Sequence, residues 1–488
     1  MIVRPTLVRL LLAATLAAPL GAQQAAPGTI SLADAITLAA KVSHTVRTAE
    51  AGALRARGQQ AQARAQYFPQ INGSANYQRT IESQFQAISK QGSSSSTTSS
   101  GMKDTSSSSG GIGDLSKIFA APNTVILGLT GTQNIFTAGK LAASTKGAEA
   151  ALTAADIALD AARAQLVVDV AQAYFDAVAA EQLTTIADST LAQAERTLQQ
   201  TTVSRQVGSA AEFDLLRARV ARDNQRPQVI AARGNRDIAL LRLRQLLGLK
   251  LDAPMVLTTP LRDDGAASTE TGQVRLDLPI AIPGANEGRV ADTSVAHRAT
   301  VRQAEAQLTA QEYALKAANW NRLPSVQFST NYQRFGYPAD GTFLPNSFAQ
   351  FYPNWTASVG LSFPVFVGGR LQGERMVAEA NVAEARQSLE QTKEFAALDA
   401  RTALNTLAQA TAQYAASVGT DEQARRAYEI AEVRFREGIS TQVELQQSRT
   451  QYEQARTNRV TAARDLEVAR LRVAFLKDLP VSAPRAQR

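Results

Sequence analysis

No cysteine occurs anywhere in the 488 residues, so disulfides, thiol nucleophiles, iron–sulfur ligation and N-terminal acylation on cysteine are excluded together. Histidine is nearly as scarce: His44 and His297 lie far apart in polar segments with no acidic or histidine cluster at ligand spacing, so no metal or other cofactor is expected. Past the N-terminal segment, no stretch of about 20 residues is continuously apolar, which argues against a membrane-spanning helix. A glycine-rich phosphate loop between strand and helix, a nucleophile elbow and an acid pair in a compact pocket-forming domain are all missing, so an enzyme is not expected. The 51 Lys and Arg are interspersed with 43 Asp and Glu, without the basic patch and aromatic interleaving that a nucleic-acid surface needs.

What is present begins with an export signal. Arg4 and Arg9 precede an apolar stretch from Leu10 to Leu20, followed by Gly21, Ala22 and Gln23, the layout of a secretory signal peptide over residues 1–22. The formal charge of +8 becomes +6 once Arg4 and Arg9 leave.

The remaining sequence is written twice. Thr45-Val46-Arg47-Thr48-Ala49-Glu50-Ala51 recurs as Thr300-Val301-Arg302-Gln303-Ala304-Glu305-Ala306, and Tyr67-Phe68-Pro69 is matched at the same separation of 255 by Arg322-Leu323-Pro324. Phe136-Thr137-Ala138-Gly139-Lys140 answers Phe366-Val367-Gly368-Gly369-Arg370 at a separation of 230, as Gly208 answers Gly438. Four landmarks in one order with two separations make a duplication. The difference of 25 residues falls on Gly92 to Gly113, a Ser, Thr and Gly tract too polar to fold, expected as a disordered loop over 92–113. The expected organisation is a first repeat over 23–249, a connecting segment over 250–288, a second repeat over 289–478 and a tail over 479–488.

Each copy carries two segments of period two. Ile71, Gly73, Ala75 and Tyr77 alternate with Asn72, Ser74, Asn76 and Gln78; Val125, Leu127 and Leu129 alternate with Thr124, Gly128 and Thr130, with Ile126 blurring the pattern. In the second copy Val326, Phe328, Thr330 and Tyr332 alternate with polar neighbours, and Trp355, Ala357, Val359, Leu361 and Phe363 alternate with Thr356, Ser358, Gly360 and Ser362. Strands are therefore expected at about 70–80, 124–135, 325–335 and 354–366. An apolar face opposite a small polar face suits a transmembrane barrel or a soluble sheet with one packed side. Four strands cannot close a barrel in lipid, so the membrane reading needs several protomers to complete one wall.

The rest is helical texture, rich in Ala, Gln, Arg and Glu: Leu32 to Gln66, Gly139 to Gln206, Ala210 to Leu247, Arg289 to Asn321, Gly369 to Glu437 and Thr441 to Lys477. At 1.5 Å per residue the two longest reach about 100 Å and the others about 50 to 60 Å. Pro227 is expected to distort the third. Such helices fit a solvated tube or a fibrous coiled coil, and a periplasmic or surface coiled-coil structural protein stays open beside a channel.

The paired Tyr67-Phe68-Pro69 and Leu323-Pro324 strand starts, the Phe136 and Phe366 strand ends, and the helix ends Arg205-Gln206-Val207-Gly208 and Arg434-Phe435-Arg436-Glu437-Gly438 resemble the outer membrane efflux protein family, the TolC-like channel tunnels. The resemblance implies an α+β membrane protein: a duplicated long-helix α-barrel with four transmembrane β-strands per protomer, a homotrimer closing a 12-stranded β-barrel in outer-membrane lipid. It also implies a helical tunnel extending into the periplasm, a periplasmic adaptor protein and an inner-membrane transporter as partners, and passive conduction of substrate. By the same resemblance Gly208 and Gly438 are hairpin tips, with Val207, Ser209, Ala210, Glu437, Ile439 and Ser440 as adaptor-contacting residues. Glu444 takes the first acidic position of the pore constriction, with Asp214 as its counterpart in the first copy. The next position, acidic in the family, is Gln447 here, opposite Arg217, so a double acidic ring is not complete.

Overall fold

The computed structural model describes residues 28–81, 123–261, 269–270, 273–274, 293–338 and 351–481. The signal peptide over 1–22, the serine-rich loop over 92–113, much of the 250–288 connection and the tail beyond 481 lie outside the described residues.

In chain order the elements are β1 (Gly28–Ile30), α1 (Leu32–Val42), α2 (His44–Ala65), β2 (Gln70–Arg79), β3 (Asn123–Phe136), α3 (Lys140–Gln206), α4 (Glu212–Leu247), β4 (Met255–Leu257), β5 (Thr269–Glu270), β6 (Gln273–Val274), α5 (Ala299–Trp320), β7 (Ser325–Gly336), β8 (Phe351–Ser362), α6 (Arg370–Arg436) and α7 (Gln442–Ala474). They form two compact units. One draws on Met1–Ser43, Leu166–Val290 and Thr406–Leu471, the other on His44–Gln165, Ala291–Asn405 and Arg472–Arg488, so each takes sequence from both copies.

The second unit holds an antiparallel sheet in the order β2-β3-β7-β8. Its register carries one apolar face across all four strands, because residues directly opposite in a ladder share a face. Gly73, Leu129, Tyr332 and Trp355 make one such row, and Tyr332 meets Trp355 edge to face at 6.4 Å. Ser74, Gly128, Gln333 and Asn354 make the next row, on the other face. Ile126, which blurs the alternation in sequence, stands on that polar face opposite Asn76 and Phe335, and Phe335 is opposite Tyr352. The polar face therefore turns apolar toward that end. β8 begins at Phe351 and ends at Ser362, where the sequence suggests 354–366; Pro364 has no N–H to extend the ladder. Only β2 and β8 leave an edge unpaired within this sheet.

Below the sheet's helix junctions, α5 and α6 pack Val301 and Ala304 against Leu389 and Ala396, with Leu308 beside them. Small side chains such as Ala304 and Ala396 let these helices approach closely, which an Ala-rich sequence with few large apolar residues demands. Arg298, fully buried, donates to the Asp399 carboxylate at 2.5 Å, and Arg472 reaches the other oxygen of Asp399 at 2.9 Å. Arg298 also leaves Nε and Nη1 without a hydrogen-bond partner among the described residues.

In the first unit β1 pairs in parallel with β4. A single hydroxyl ties these strands to α3: Tyr174, fully buried, donates to the Ile30 carbonyl at 3.0 Å and accepts from the backbone N–H groups of Thr258 and Thr259 at 3.1 and 2.9 Å. Ser31 and Asp34 form a capping box at the start of α1.

Three helix ends differ from the sequence reading. The span Leu32 to Gln66 is broken at Ser43, whose φ of −52° and ψ of 121° leave helical space. The helix expected from Arg289 starts at Ala299, after an extended Arg298 at φ −63° and ψ 135°. Pro227 lies within the continuous helix α4 at an exposed position, where the lost backbone hydrogen bond falls on a side that water can serve. Along α6, carboxylates pair with neighbouring cations, as in Arg375–Glu379 at 2.6 Å and Arg425–Glu429 at 3.1 Å, the arrangement expected of acidic residues that keep a helix face solvated.

Candidate gate at the helical hairpins

Each 67-residue helix, α3 and α6, ends in a tight reversal. Gly208 and Gly438 adopt left-handed φ values of +80° and +73°, which a Cβ disfavours. Ser209 N–H donates to the Ser204 carbonyl at 2.9 Å and Gly208 N–H to that of Arg205 at 3.1 Å; Ile439 N–H donates to Arg434 at 2.8 Å and Gly438 N–H to Phe435 at 3.0 Å. Both copies thus close with the same Schellman pattern, which satisfies the last carbonyls of the helix and turns the chain. The return helices start differently: beyond Gly438, Thr441 Oγ1 accepts from Glu444 N–H at 3.3 Å, whereas beyond Gly208 the cap residue is Ala211, which has no side-chain acceptor.

The second hairpin has a buried seam and a bare stripe. Tyr428, Ala431 and Leu445 pack together with Phe435 and Tyr452, and the rings of Tyr428 and Tyr452 stack at 5.8 Å. Beside them Arg449 is buried, which lowers its pKa, and burial raises the pKa of Glu453 against the pull of Arg449 and Arg456. Ile430, Val433, Ile439 and Val443 remain exposed, as do Val207, Phe213 and Leu216 on the first hairpin.

The anticipated gate residues separate into two groups. Asp214 lines a cavity of about 440 Å³ together with Ser209, Ala210, Gly438, Ser440 and Gln442, so the two hairpin turns share one wall. Glu444 and Gln447 are not part of that lining. Glu444 is half-buried and lies 3.4 Å from Arg434 across its own turn, while Gln447 is exposed. Glu437 is exposed beside Gly438, and Arg217 stacks over the Phe213 ring at 4.7 Å. The Arg434 partner of Glu444 escaped the sequence reading, although the four-residue spacing of Arg434 to Gly438 and the six-residue spacing to Glu444 were there to be read across a turn.

Among the described residues no helix is long and apolar enough to cross a membrane, and no group of three or more His, Asp or Glu could hold a metal ion. The profile of the outer membrane efflux proteins matches residues 35–249 and 290–476, most of the chain and both copies. The chain belongs to the outer membrane efflux protein family. Family membership makes it an outer-membrane protein, and its fold is helix-rich α+β. The probable efflux pump outer membrane protein SepC of Pseudomonas putida is 28% identical over 211 residues, 42% of this chain. That match spans 39% of the relative's own length. Among solved structures, the CmeC outer membrane channel of Campylobacter jejuni superposes with a TM-score of 0.69 at 18% identity, covering 93% of this chain and 87% of CmeC. The open state of the MtrE channel of Neisseria gonorrhoeae superposes at 0.68 and 18% identity, over 92% of this chain and 89% of MtrE. These two likenesses establish the fold.

Proposed function

We propose that the chain is the outer-membrane duct of a tripartite efflux or secretion system, conducting substrate passively without chemistry of its own. The observation that carries this reading is the open four-stranded sheet with a mainly apolar face, interrupted by Gln133 and by Arg334 opposite Leu127, and two unpaired edges. In lipid, unpaired edge groups cost several kcal/mol each, so the wall must close. Because each chain contributes an even number of alternating strands, the β8 edge of one copy meets the β2 edge of the next in antiparallel fashion, and identical copies close into a ring. Three copies give the twelve-stranded barrel that the family resemblance implies. A coiled-coil structural protein would leave the same apolar face and both edges without a partner.

The hairpin turns then form the periplasmic entrance. Val207, Gly208, Ser209, Ala210, Glu437, Gly438, Ile439 and Ser440 offer an exposed, partly apolar rim to a periplasmic adaptor protein, which in turn connects an inner-membrane transporter that supplies energy. Asp214, Glu444 and Gln447 form the constriction, with Glu444 held by Arg434 while the entrance is closed. Adaptor binding shifts the population toward an open arrangement. A threefold ring of Glu444 favours cations over anions. Single-channel recording in planar bilayers tests this: Glu444→Gln lowers cation selectivity and Arg434→Gln, which frees the carboxylate, raises it. Unchanged selectivity in both variants would exclude Glu444 from the constriction.

A further inference from the structure

All four junctions between strand and helix lie at one end of the sheet. Gln70, where β2 begins, is opposite Thr132 near the end of β3; Phe136, the end of β3, is opposite Val326; and Ser325, the start of β7, is opposite Ser362, the end of β8. Side chains lock the ends together, with Gln133 Nε2 donating to the Tyr67 carbonyl at 2.8 Å and Asn134 Nδ2 to that of Gln66 at 3.5 Å.

Every junction carries an exposed cation beside exposed apolar residues, and Lys146 and Lys316 lie one to two helical turns further along α3 and α5. Arg64 ends α2 just before Tyr67 and Phe68; Lys140 opens α3 just after Phe136; Arg322 directly precedes Leu323; and Arg370 opens α6 just after Phe366. The apolar partners are bare, Phe68 at 66% and Phe366 at 88% exposure, so this end of the sheet is not buried by its own chain. Glu374 pairs with Arg370 and accepts from Asn321 Nδ2, and it is the only acidic residue within residues 60–70, 136–146, 316–325 and 363–374. Arg64, Lys140 and Arg322 form no ion pair among the described residues. A band of apolar side chains followed by unneutralised cations matches the order met on leaving a bilayer: hydrocarbon first, then headgroup phosphate.

We propose that Arg64, Lys140 and Arg322, with Arg370 beside them, form a basic row that binds the phosphates of anionic phospholipids in the periplasmic leaflet. The inference rests on the outer-membrane reading above and adds a lipid preference to it. Each basic residue at an anionic surface contributes about fivefold to association, so three contribute on the order of a hundredfold before screening by salt.

The test uses the full-length protein reconstituted in phosphatidylcholine nanodiscs, titrated with spin-labelled phosphatidylglycerol or spin-labelled phosphatidylcholine as the probe. The wild type is expected to enrich phosphatidylglycerol over phosphatidylcholine several-fold at low salt, less so at high salt. The triple variant R64Q/K140Q/R322Q is expected to show a ratio near one, while R219Q/R226Q/R233Q, altered on α4, keeps the wild-type ratio. Equal enrichment in the wild type and the R64Q/K140Q/R322Q variant overturns the proposal, as does a change of ion selectivity without a change in lipid ratio, which would put these charges on the lumen. Channel conductance of the wild type in pure phosphatidylcholine separates the two readings: its presence with no anionic preference refutes only the basic row, and failure of the protein to enter the bilayer refutes both.

Discussion

Leu129 and Thr130 offer a direct measurement of which face of the sheet meets lipid. They are neighbours on β3, Leu129 opposite Gly73 and Tyr332 on the apolar face, Thr130 opposite Asn72 and Asn331 on the polar face. Leu129 is 53% exposed, so its own chain leaves about half of it open. β3 has 14 residues. At about 3.3 Å per residue and a tilt of about 45°, it spans roughly 32 Å along the membrane normal, close to the hydrocarbon thickness of about 30 Å. Both residues sit at its midpoint, so depth is equal and only the face differs. An arginine on the lipid side of a barrel at mid-depth costs about 2–4 kcal/mol, whereas a substitution facing a water-filled lumen costs roughly 0.5 kcal/mol or less, as at other solvated surfaces. Leu129→Arg is therefore expected to lower the equilibrium for the folded state by about 30- to 900-fold. Thr130→Arg, which gives up a long hydrogen bond to Asn331 at 3.4 Å, should change it by less than tenfold. The assay is a urea titration of protein reconstituted in phosphatidylcholine vesicles, read by the heat-modifiable band on a gel. Equal costs at the two positions, or a larger cost at Thr130, would refute the assignment of the apolar face to lipid.

Three further outcomes follow from other parts of the structure. Asp399→Asn removes the charge that serves both Arg298 and Arg472 and leaves Arg298 buried without a counter-ion, so it should cost about 3–5 kcal/mol by thermal or urea unfolding; a cost under about 1 would show that the cluster is dispensable. Gly248→Ala should destabilise more than Gly208→Ala in the same assay. Both need a left-handed φ worth about 1–2 kcal/mol, but a Cβ at Gly248 also collides with Val42, whereas Gly208 faces open space. The folded protein holds the Glu453 proton more tightly than the unfolded chain, since burial raises its pKa. That contribution to stability is full below the ordinary carboxylate range and is lost as pH rises through the raised value. Glu453→Gln should accordingly gain Tm relative to the wild type near pH 7, with the gap closing on acidification toward about pH 4; a gap that widens instead contradicts the sign.

Much of this architecture was legible because it is periodic. Period two along Trp355 to Leu361 and along Ile71 to Tyr77 shows which side chains share a face, and the register joins those faces across the sheet, with Arg334 and Gln133 as polar members. Gly208 and Gly438 are read as tips through the family resemblance, and glycine suits the role because it tolerates the left-handed backbone found at both. Breaks inside an alanine-rich texture were not legible. Ser43 and Arg298 leave helical space, and beside Arg298 the Ala299 N–H donates to the Lys477 carbonyl at 2.8 Å, a partner that nothing in the local sequence announces. The candidate gate is read from the family resemblance. Asp214 and Glu444 are singled out because they stand six residues beyond the tip glycines, where the family has acidic residues, but the pairing of Glu444 with Arg434 and the cavity that sets Asp214 against Ser440 and Gln442 depend on how two hairpins fold, which composition and spacing do not encode.

The unlike edges of the sheet bear on inheritance as well as on assembly. In the ring proposed above, β2 of one copy joins only β8 of another if both keep their helices on the same side, so a two-fold pairing of like edges would invert one chain across the membrane. A chain damaged in either edge strand still offers its good edge to a neighbour and then cannot pass the wall on. Under threefold assembly, a cell making equal amounts of sound and damaged chains closes about one ring in eight entirely from sound copies. Lesions at Gln70–Arg79 or Phe351–Ser362 are thus expected to act dominantly over a normal copy of the gene, whereas lesions confined to the helices need not.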